Sequence, residues 1–275
     1  MAGAKLCIST VTGIGFSLTG GMGGLKGKLF AAVSGALHRR AFRNCNKVIF
    51  QNADDMRVFL EHKLLPEEKA ILIQGSGVDM SQNHPSERKP HEGPVRFVFL
   101  SRLIAPKGIY ELVEATKRLH EELPGKCEVV LAGATDPQNP KSITESELLE
   151  WVRQGILKYV GVVPNAVAAF ESADVAVLPS YWLEGLPRSM VEAAAMGLPV
   201  ITTTSSGCRD SVVDGVTGFA VPPKDAEALL EAMKKLANDQ DLRTKMGLEG
   251  RKFVENRYSV EAVLEQTWRV YESAI

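Results

Sequence analysis

Glu184 and Glu192 stand eight residues apart in the run E-G-L-P-R-S-M-V-E, where a buried strand gives way to a helix. Two carboxylates so placed can divide the labour of a reaction. One faces a centre that gains positive charge, and the other accepts hydrogen bonds from a hydroxyl-rich group. The run V-A-V-L-P from Val175 predicts a short, fully buried strand, and Ser189 to Met196 reads as a helix. Pro187 suits the first helical position, where a missing N–H costs nothing. After Gly185 and Leu186, the free N–H groups of Arg188 and Ser189 would face outward as an anion cradle with the helix dipole behind them. Taken alone, the pair is equally compatible with ordinary capping or solvated carboxylates.

A second constellation tips that balance. The apolar strand V-R-F-V-F-L from Val95 runs into Ser101 and Arg102, then Lys107-Gly108, with a helix expected from about Ile109 to Leu123. Two cations at the carboxyl end of a buried strand, spaced across a Pro-containing turn, suit a diphosphate. Each charge-assisted bond supplies about 1.5–3 kcal/mol. In isolation Arg102 and Lys107 also read as a surface pair.

The elements that must position these groups fall into three pieces. From Lys5 to about Asp79, a strand at Leu6 to Val11 leads through a glycine-rich loop to an amphipathic helix. Strand Lys47 to Gln51, helix Asp54 to Lys63 and strand Ala70 to Gln74 follow. Residues 80–93 are polar and Pro-rich without apolar periodicity, and are expected to be an interdomain linker. From Pro94 onward strands are expected at Val95 to Leu100, Glu128 to Leu131, Ile156 to Tyr159, Val175 to Leu178, Pro199 to Thr203 and Gly218 to Val221. Strands alternating with helices imply an α/β fold with a doubly wound parallel sheet, whose ligands bind at the strand carboxyl ends. Arg102, Gly133, Gly161, Glu184 and Ser205 all follow such ends.

Several function classes are disfavoured. A net charge of −1 over 275 residues argues against a nucleic-acid binder. The four Cys at 7, 45, 127 and 208 form no C-x-x-C pair, so neither a zinc knuckle nor a disulfide framework is suggested, and a reduced cytoplasmic setting is expected. No stretch approaches the ~18 apolar residues of a membrane span, so membrane contact is expected to be peripheral, on the inner face. The glycine-rich loop is not a P-loop, because Met22 and Leu29 occupy positions that need Gly and Ser or Thr. Asp239-Gln240-Asp241 has D-x-D spacing but lies between the expected helices Ala226 to Asn238 and Leu242 to Asn256. There Asp241 reads as a cap rather than a metal ligand.

Together these residues resemble the retaining glycosyltransferases of family 4, which have the GT-B architecture of two facing Rossmann-like domains. The carriers are S-R-L-I-A-P-K-G from Ser101, G-V-V-P-N from Gly161, E-G-L-P-R-S-M-V-E-A-A-A-M-G-L-P-V-I from Glu184 and S-S-G-C-R-D-S-V-V-D-G-V-T-G-F-A-V-P-P from Ser205. T-V-T-G-I-G-F from Thr10, V-I-F-Q-N-A-D-D from Val48 and G-S-G-V-D from Gly75 are similar to the branch that adds a hexose or hexosamine to a lipid-diphosphate-linked sugar. The resemblance implies a partial N-terminal, acceptor-side domain at residues 1–79, in which Thr12, Gly13 and Gly15 lie on the acceptor side. It implies a C-terminal nucleotide-sugar-binding domain at 94–258, and a helix at 259–275 that packs back toward the N-terminal domain. In the family the first domain opens with further βα units, so the N-terminal domain is expected to be truncated and completed by a partner chain or by self-association. A His common near the reacting carbon falls close to Thr12, where this chain has none.

The resemblance also implies the chemistry. The donor is a nucleotide sugar, UDP-linked by expectation, and the acceptor a glycan or lipid-linked sugar. Arg102, Lys107 and the helix start at Gly185, Leu186 and Pro187 neutralise the departing diphosphate with no metal and no cofactor. Glu192 grips the ribose hydroxyls, the backbone near Val163 meets the base, and Glu184 contacts the donor sugar and steadies an oxocarbenium-like centre. The anomeric configuration is retained. Two alternatives share these residues: a non-catalytic or vestigial nucleotide-sugar-binding protein, and a GT-B-type sugar-nucleotide epimerase. In the first helix Leu25, Leu29, Val33 and Leu37 make an apolar stripe beside Phe30 and Phe42, with Lys26, Lys28, Arg39, Arg40 and Arg43 around it. Such a helix either packs the stripe on its own sheet or settles it on an anionic bilayer surface.

Overall fold

A computed structural model describes residues 6–13, 24–87, 89, 91–183 and 185–274. The chain divides into two compact units: Met1–Gly77 with Leu183–Leu186 and Val260–Ile275, and Val78–Trp182 with Pro187–Ser259.

The first unit holds strands β1 (Ile8–Val11), β2 (Lys47–Phe50) and β3 (Ala70–Leu72), with helices α1 (Gly24–Arg43) and α2 (Ala53–Glu61) between them. The strands pair in parallel in the order β1-β2-β3, with Ile8 opposite Lys47 and Val48 opposite Ala70. Side chains alternate across a strand, so β2 feeds two cores. Val48 and Phe50 pack with Phe42, Phe59, Leu64 and Leu65 under the two helices. Ile49 faces the other way and joins Ile73 with Val263 and Val270 of the C-terminal helix Val260–Ala274. Apolar residues on both faces are what a covered parallel sheet requires.

Helix α1 turns its apolar stripe outward. Leu29, Val33 and Leu37 are 66%, 51% and 62% exposed, whereas Phe42 is buried. The inward face is instead carried by Phe42 and by His38, whose ring meets Phe59 edge-on at 5.2 Å. The residues that look apolar by spacing are thus not the ones that reach the sheet.

The second unit is a six-stranded parallel sheet of β4 (Val95–Leu100), β5 (Cys127–Ala132), β6 (Lys158–Tyr159), β7 (Val175–Leu178), β8 (Val200–Thr203) and β9 (Gly218–Val221), in the order β6-β5-β4-β7-β8-β9. Helices α3 (Ile109–Glu122), α4 (Glu145–Arg153), α5 (Ala166–Phe170), α6 (Arg188–Ala195), α7 (Ala226–Asn238) and α8 (Gln240–Tyr258) accompany it. The sheet grows outward one way from β4 and the other way from β7. The doubly wound topology therefore switches direction between those two strands. Helix α4 is missing from the sequence reading, although its signal is present in T-E-S-E. Thr144 accepts from the Glu147 N–H while the Glu147 carboxylate takes the Thr144 N–H.

Several local expectations are corrected. The last expected residues of β6 are strand, but Ile156 and Leu157 are buried ahead of it, with the Ile156 N–H turned back to Trp151. Asp239, not Asp241, caps α8, accepting from the Leu242 N–H at 2.8 Å, because the helix begins at Gln240. The described residues of 80–93, expected as an interdomain linker, group with the second unit. The Asn83 carbonyl accepts from Arg251 at 3.1 Å, Pro85 lies against Gly197, and His91 bonds Asp174 at 3.0 Å. A polar segment can dock through hydrogen bonds to residues far along the chain, which apolar periodicity does not register.

Candidate functional site

The carboxyl ends of β4 and β7 flank the switch point, and the residues following them are held together by backbone. The carbonyl of Pro106, inside the turn Ala105–Lys107, accepts from the Tyr181 N–H at 2.9 Å, the Trp182 N–H at 3.1 Å and the Ser180 hydroxyl at 3.3 Å. Three donors on one oxygen fix the turn carrying Lys107 to the turn after β7. Gly108 makes this approach feasible. Its φ is +79°, and a Cβ there would lie 2.1 Å from the Pro179 carbonyl oxygen. Beneath the turn, Thr202 Oγ1 donates to Leu178 O at 2.9 Å and Thr203 Oγ1 donates to Ser180 O, both hydroxyls fully buried.

Arg102 and Lys107 thus share one end of the sheet but differ in environment. Arg102 is exposed and forms no ion pair among the described residues. Lys107 is only 7% exposed. A buried ammonium is costly unless polar groups surround it, so its place at the switch point marks that floor as polar. Two further cations come from loops that sequence reasoning passed over. Lys141 sits over the Trp182 ring at 4.8 Å and Lys224 over the Tyr181 ring at 4.7 Å. Burial and the Glu111 carboxylate push the Tyr181 phenol up, so it stays neutral at physiological pH.

Helix α6 runs Arg188–Ala195, so buried Pro187, expected as its first helical residue, is its N-cap. The reason lies in Pro187's backbone, whose ψ of 103° is extended while its carbonyl already accepts from Met190 and Val191. No side chain caps this N-terminus. Glu192, one turn in, is held by Arg188, whose Nε donates at 2.7 Å. The Glu192 side chain is 14% exposed and that of Arg188 66%, so the pair is open on the Arg188 side. Arg188 is named from sequence only for its backbone N–H, although the i, i+4 spacing of its side chain to Glu192 is the signal.

The loops after β5 and β6 close the same edge. The Gly133 N–H donates to Gly161 O and the Tyr159 hydroxyl donates to Gly133 O, each at 2.8 Å. Gly133 has φ +142°, and a Cβ there would meet the Ser101 carbonyl at 1.8 Å. Val163 follows on this tied loop, half-buried, next to the 74%-exposed Val162.

Leu183–Leu186 belongs to the first unit. A Cβ at Gly185 would stand 2.4 Å from the Thr12 carbonyl oxygen and 3.2 Å from Gln51 Oε1. The structure therefore brings Thr12 onto the glycine that follows Glu184, and adds Gln51, which the sequence reading named only within a motif. Gly13 is exposed, with nothing within 4 Å of a Cβ placed there. Glu184 and Gly15 lie outside the described residues.

The family described as Glycosyl transferases group 1 matches residues 80–253. Among curated proteins, the chain is similar to the capsular polysaccharide biosynthesis glycosyltransferase CapM of Staphylococcus aureus, 32% identical over 229 residues, which is 78% of this chain and 59% of that protein. It is 28% identical over 246 residues to the N,N'-diacetylbacillosaminyl-diphospho-undecaprenol alpha-1,3-N-acetylgalactosaminyltransferase of Campylobacter jejuni, covering 83% of this chain and 62% of that one. The chain spans about three-fifths of the length of these relatives. Among solved structures it matches sucrose-phosphate synthase from Thermosynechococcus elongatus with a TM-score of 0.77 at 23% identity, over 97% of this chain and 67% of that one. Anabaena Alr3699/HepE in complex with UDP matches at 0.78 and 17%, over 98% and 72%. At these identities the likeness establishes the fold, which is GT-B with Rossmann-like parallel sheets.

Proposed function

The chain belongs to the group 1 glycosyl transferase family, and from that premise we propose that it moves a sugar from a nucleoside diphosphate sugar, UDP-linked, to a glycan or lipid-linked acceptor with retention of configuration. The observation that carries this reading is the pairing of exposed Arg102 with buried Lys107 at the switch point of the sheet. Breaking the bond to the anomeric carbon releases a dianionic diphosphate, and the main demand on the protein is to neutralise it as it leaves. Arg102, Lys107 and the uncapped N-terminus of α6 meet that demand without a metal. In this reading Glu192 takes the ribose hydroxyls, the Val163 loop takes the base, and Glu184 is assigned to the donor sugar. UDP as the nucleotide is supported by the matching structure, whose bound ligand is UDP.

Arg102→Ala tests the assignment by calorimetry. UDP affinity is expected to fall roughly ten- to a hundredfold, the loss of about 1.5–3 kcal/mol of charge-assisted bonding, and EDTA is expected to leave wild-type affinity unchanged. Unaltered UDP binding in the variant would remove Arg102 from the donor site, and a loss of binding in EDTA would reinstate a metal.

The lipid-linked acceptor is supported by the diphospho-undecaprenol in the name of one relative and by the outward stripe of α1. Among the described residues no helix is long and apolar enough to cross a membrane. Leu29, Val33 and Leu37 are exposed, and Arg40 and Arg43 close the helix with no ion pair among the described residues. That combination suits the interface of an anionic bilayer. The full chain is expected to sediment with phosphatidylglycerol-containing vesicles at low salt, and Leu29→Ser with Leu37→Ser to abolish this. Equal sedimentation of wild type and double variant would detach the stripe from membrane binding.

A further inference from the structure

Cys7 and Cys45 are 38 residues apart in the chain, yet their Sγ atoms touch at 3.4 Å. The contact is held by the backbone on both sides. The Cys7 N–H donates to Asn46 Oδ1 at 3.0 Å, and the Asn46 N–H donates to Cys7 O at 2.7 Å. The residue beside Cys45 is thereby clamped to the residue that must reach it. A disulfide needs the sulfurs about 1.4 Å closer, a shift within the reach of side-chain rotation once the backbones are in place. Cys127 and Cys208 are buried in the second unit, so neither competes for this pair.

We propose that Cys7 and Cys45 are a dithiol that converts reversibly to a disulfide, closing a covalent ring around residues 8–44. The two thiols are unequal. Cys7 is half-buried, whereas Cys45 is buried. Burial and the neighbouring Cys7 push the Cys45 thiol up to about 11, against the opposing charge of Lys69. Cys7 is therefore the entry point. Its thiolate attacks one sulfur of a low-molecular-weight disulfide, expelling one thiolate and leaving a mixed disulfide on Cys7. Cys45 then gives up its proton and attacks Cys7 Sγ, expelling the second thiol. Two protein thiols lose two electrons and two protons, and the small disulfide gains both as two thiols. The Lys69 ammonium, anchored on the carbonyls of Phe42 and Arg43 at 3.4 and 3.0 Å, is the charge that faces Cys45 during its deprotonation. The ring contains Thr12 and Gly13, so oxidation ties the start of β1 to the end of α1 around the segment assigned to the acceptor.

The test uses the reduced full chain, well below its melting temperature, with oxidised glutathione as the probe, followed by acid quenching, alkylation in denaturant and peptide mapping. The expected result is a Cys7–Cys45 linked peptide, alkylated Cys127 and Cys208, reversal by dithiothreitol, and a melting temperature higher by roughly 5 °C from loop closure. In Cys45→Ser, glutathione is expected to accumulate on Cys7, because the resolving thiol is gone. Wild type that keeps glutathione on Cys7, retains all of its thiols, or links only between molecules or after unfolding would overturn the proposal.

Discussion

Glu184→Gln is expected to leave UDP affinity within about twofold of wild type while lowering turnover about a hundredfold, and Glu192→Gln to do the reverse. The amide keeps the shape of the carboxylate and part of its hydrogen bonding but removes its charge. On the proposed role of Glu184, that charge matters when the donor sugar's anomeric carbon becomes cationic, and UDP alone carries no donor sugar. On the proposed role of Glu192, its carboxylate accepts bonds from the ribose, which UDP carries, so its loss is expected to weaken UDP roughly ten- to a hundredfold. Stability is expected to change little. Arg188, freed from Glu192, is 66% exposed and returns to water. Calorimetry with UDP and steady-state rates with a UDP-sugar separate the two effects. Equal loss of UDP affinity in both variants would contradict the division of roles.

Gly108→Ala is expected to destabilise the second unit by more than about 3 kcal/mol. The new Cβ would start 2.1 Å from the Pro179 carbonyl oxygen and 2.6 Å from its carbon, and these are backbone atoms that no rotamer change can move. The left-handed φ of +79° adds a cost of its own, about 1–2 kcal/mol. Gly155→Ala is the control, since Gly155 has a φ of +70° and open space around it, and only the conformational term of about 1–2 kcal/mol should appear. Because Pro106 O gathers three donors beside Gly108, the shift would also displace Lys107 and, on its proposed role, weaken UDP in whatever fraction folds. Urea titration of the three proteins measures the difference. A Gly108→Ala midpoint equal to that of Gly155→Ala would show that the approach to Pro179 is not tight.

The signals that are local were legible in the chain itself. Val95–Leu100, Val175–Leu178 and Gly218–Val221 are strands with the bounds their apolar runs announce, because a parallel strand covered on both faces is predominantly apolar. Arg102, Lys107 and the α6 helix start were likewise visible as charges and free N–H groups just beyond such runs. What the tertiary structure alone decided is which distant partner each segment meets. Periodicity showed that α1 has an apolar stripe but not that Phe42, on another face, would reach the core and leave Leu29, Val33 and Leu37 in water. The polar strap 80–93 carries no apolar pattern, and its docking depends on Arg251, Gly197 and Asp174, far along the chain. The same holds for Cys7 on Cys45 and Gly185 on the Thr12 carbonyl. Strand and helix preferences arise from each residue and its immediate neighbours, so sequence encodes them directly. Register, face and long-range contact arise from packing the whole sheet, and only the folded chain selects among the pairings that local preference leaves open.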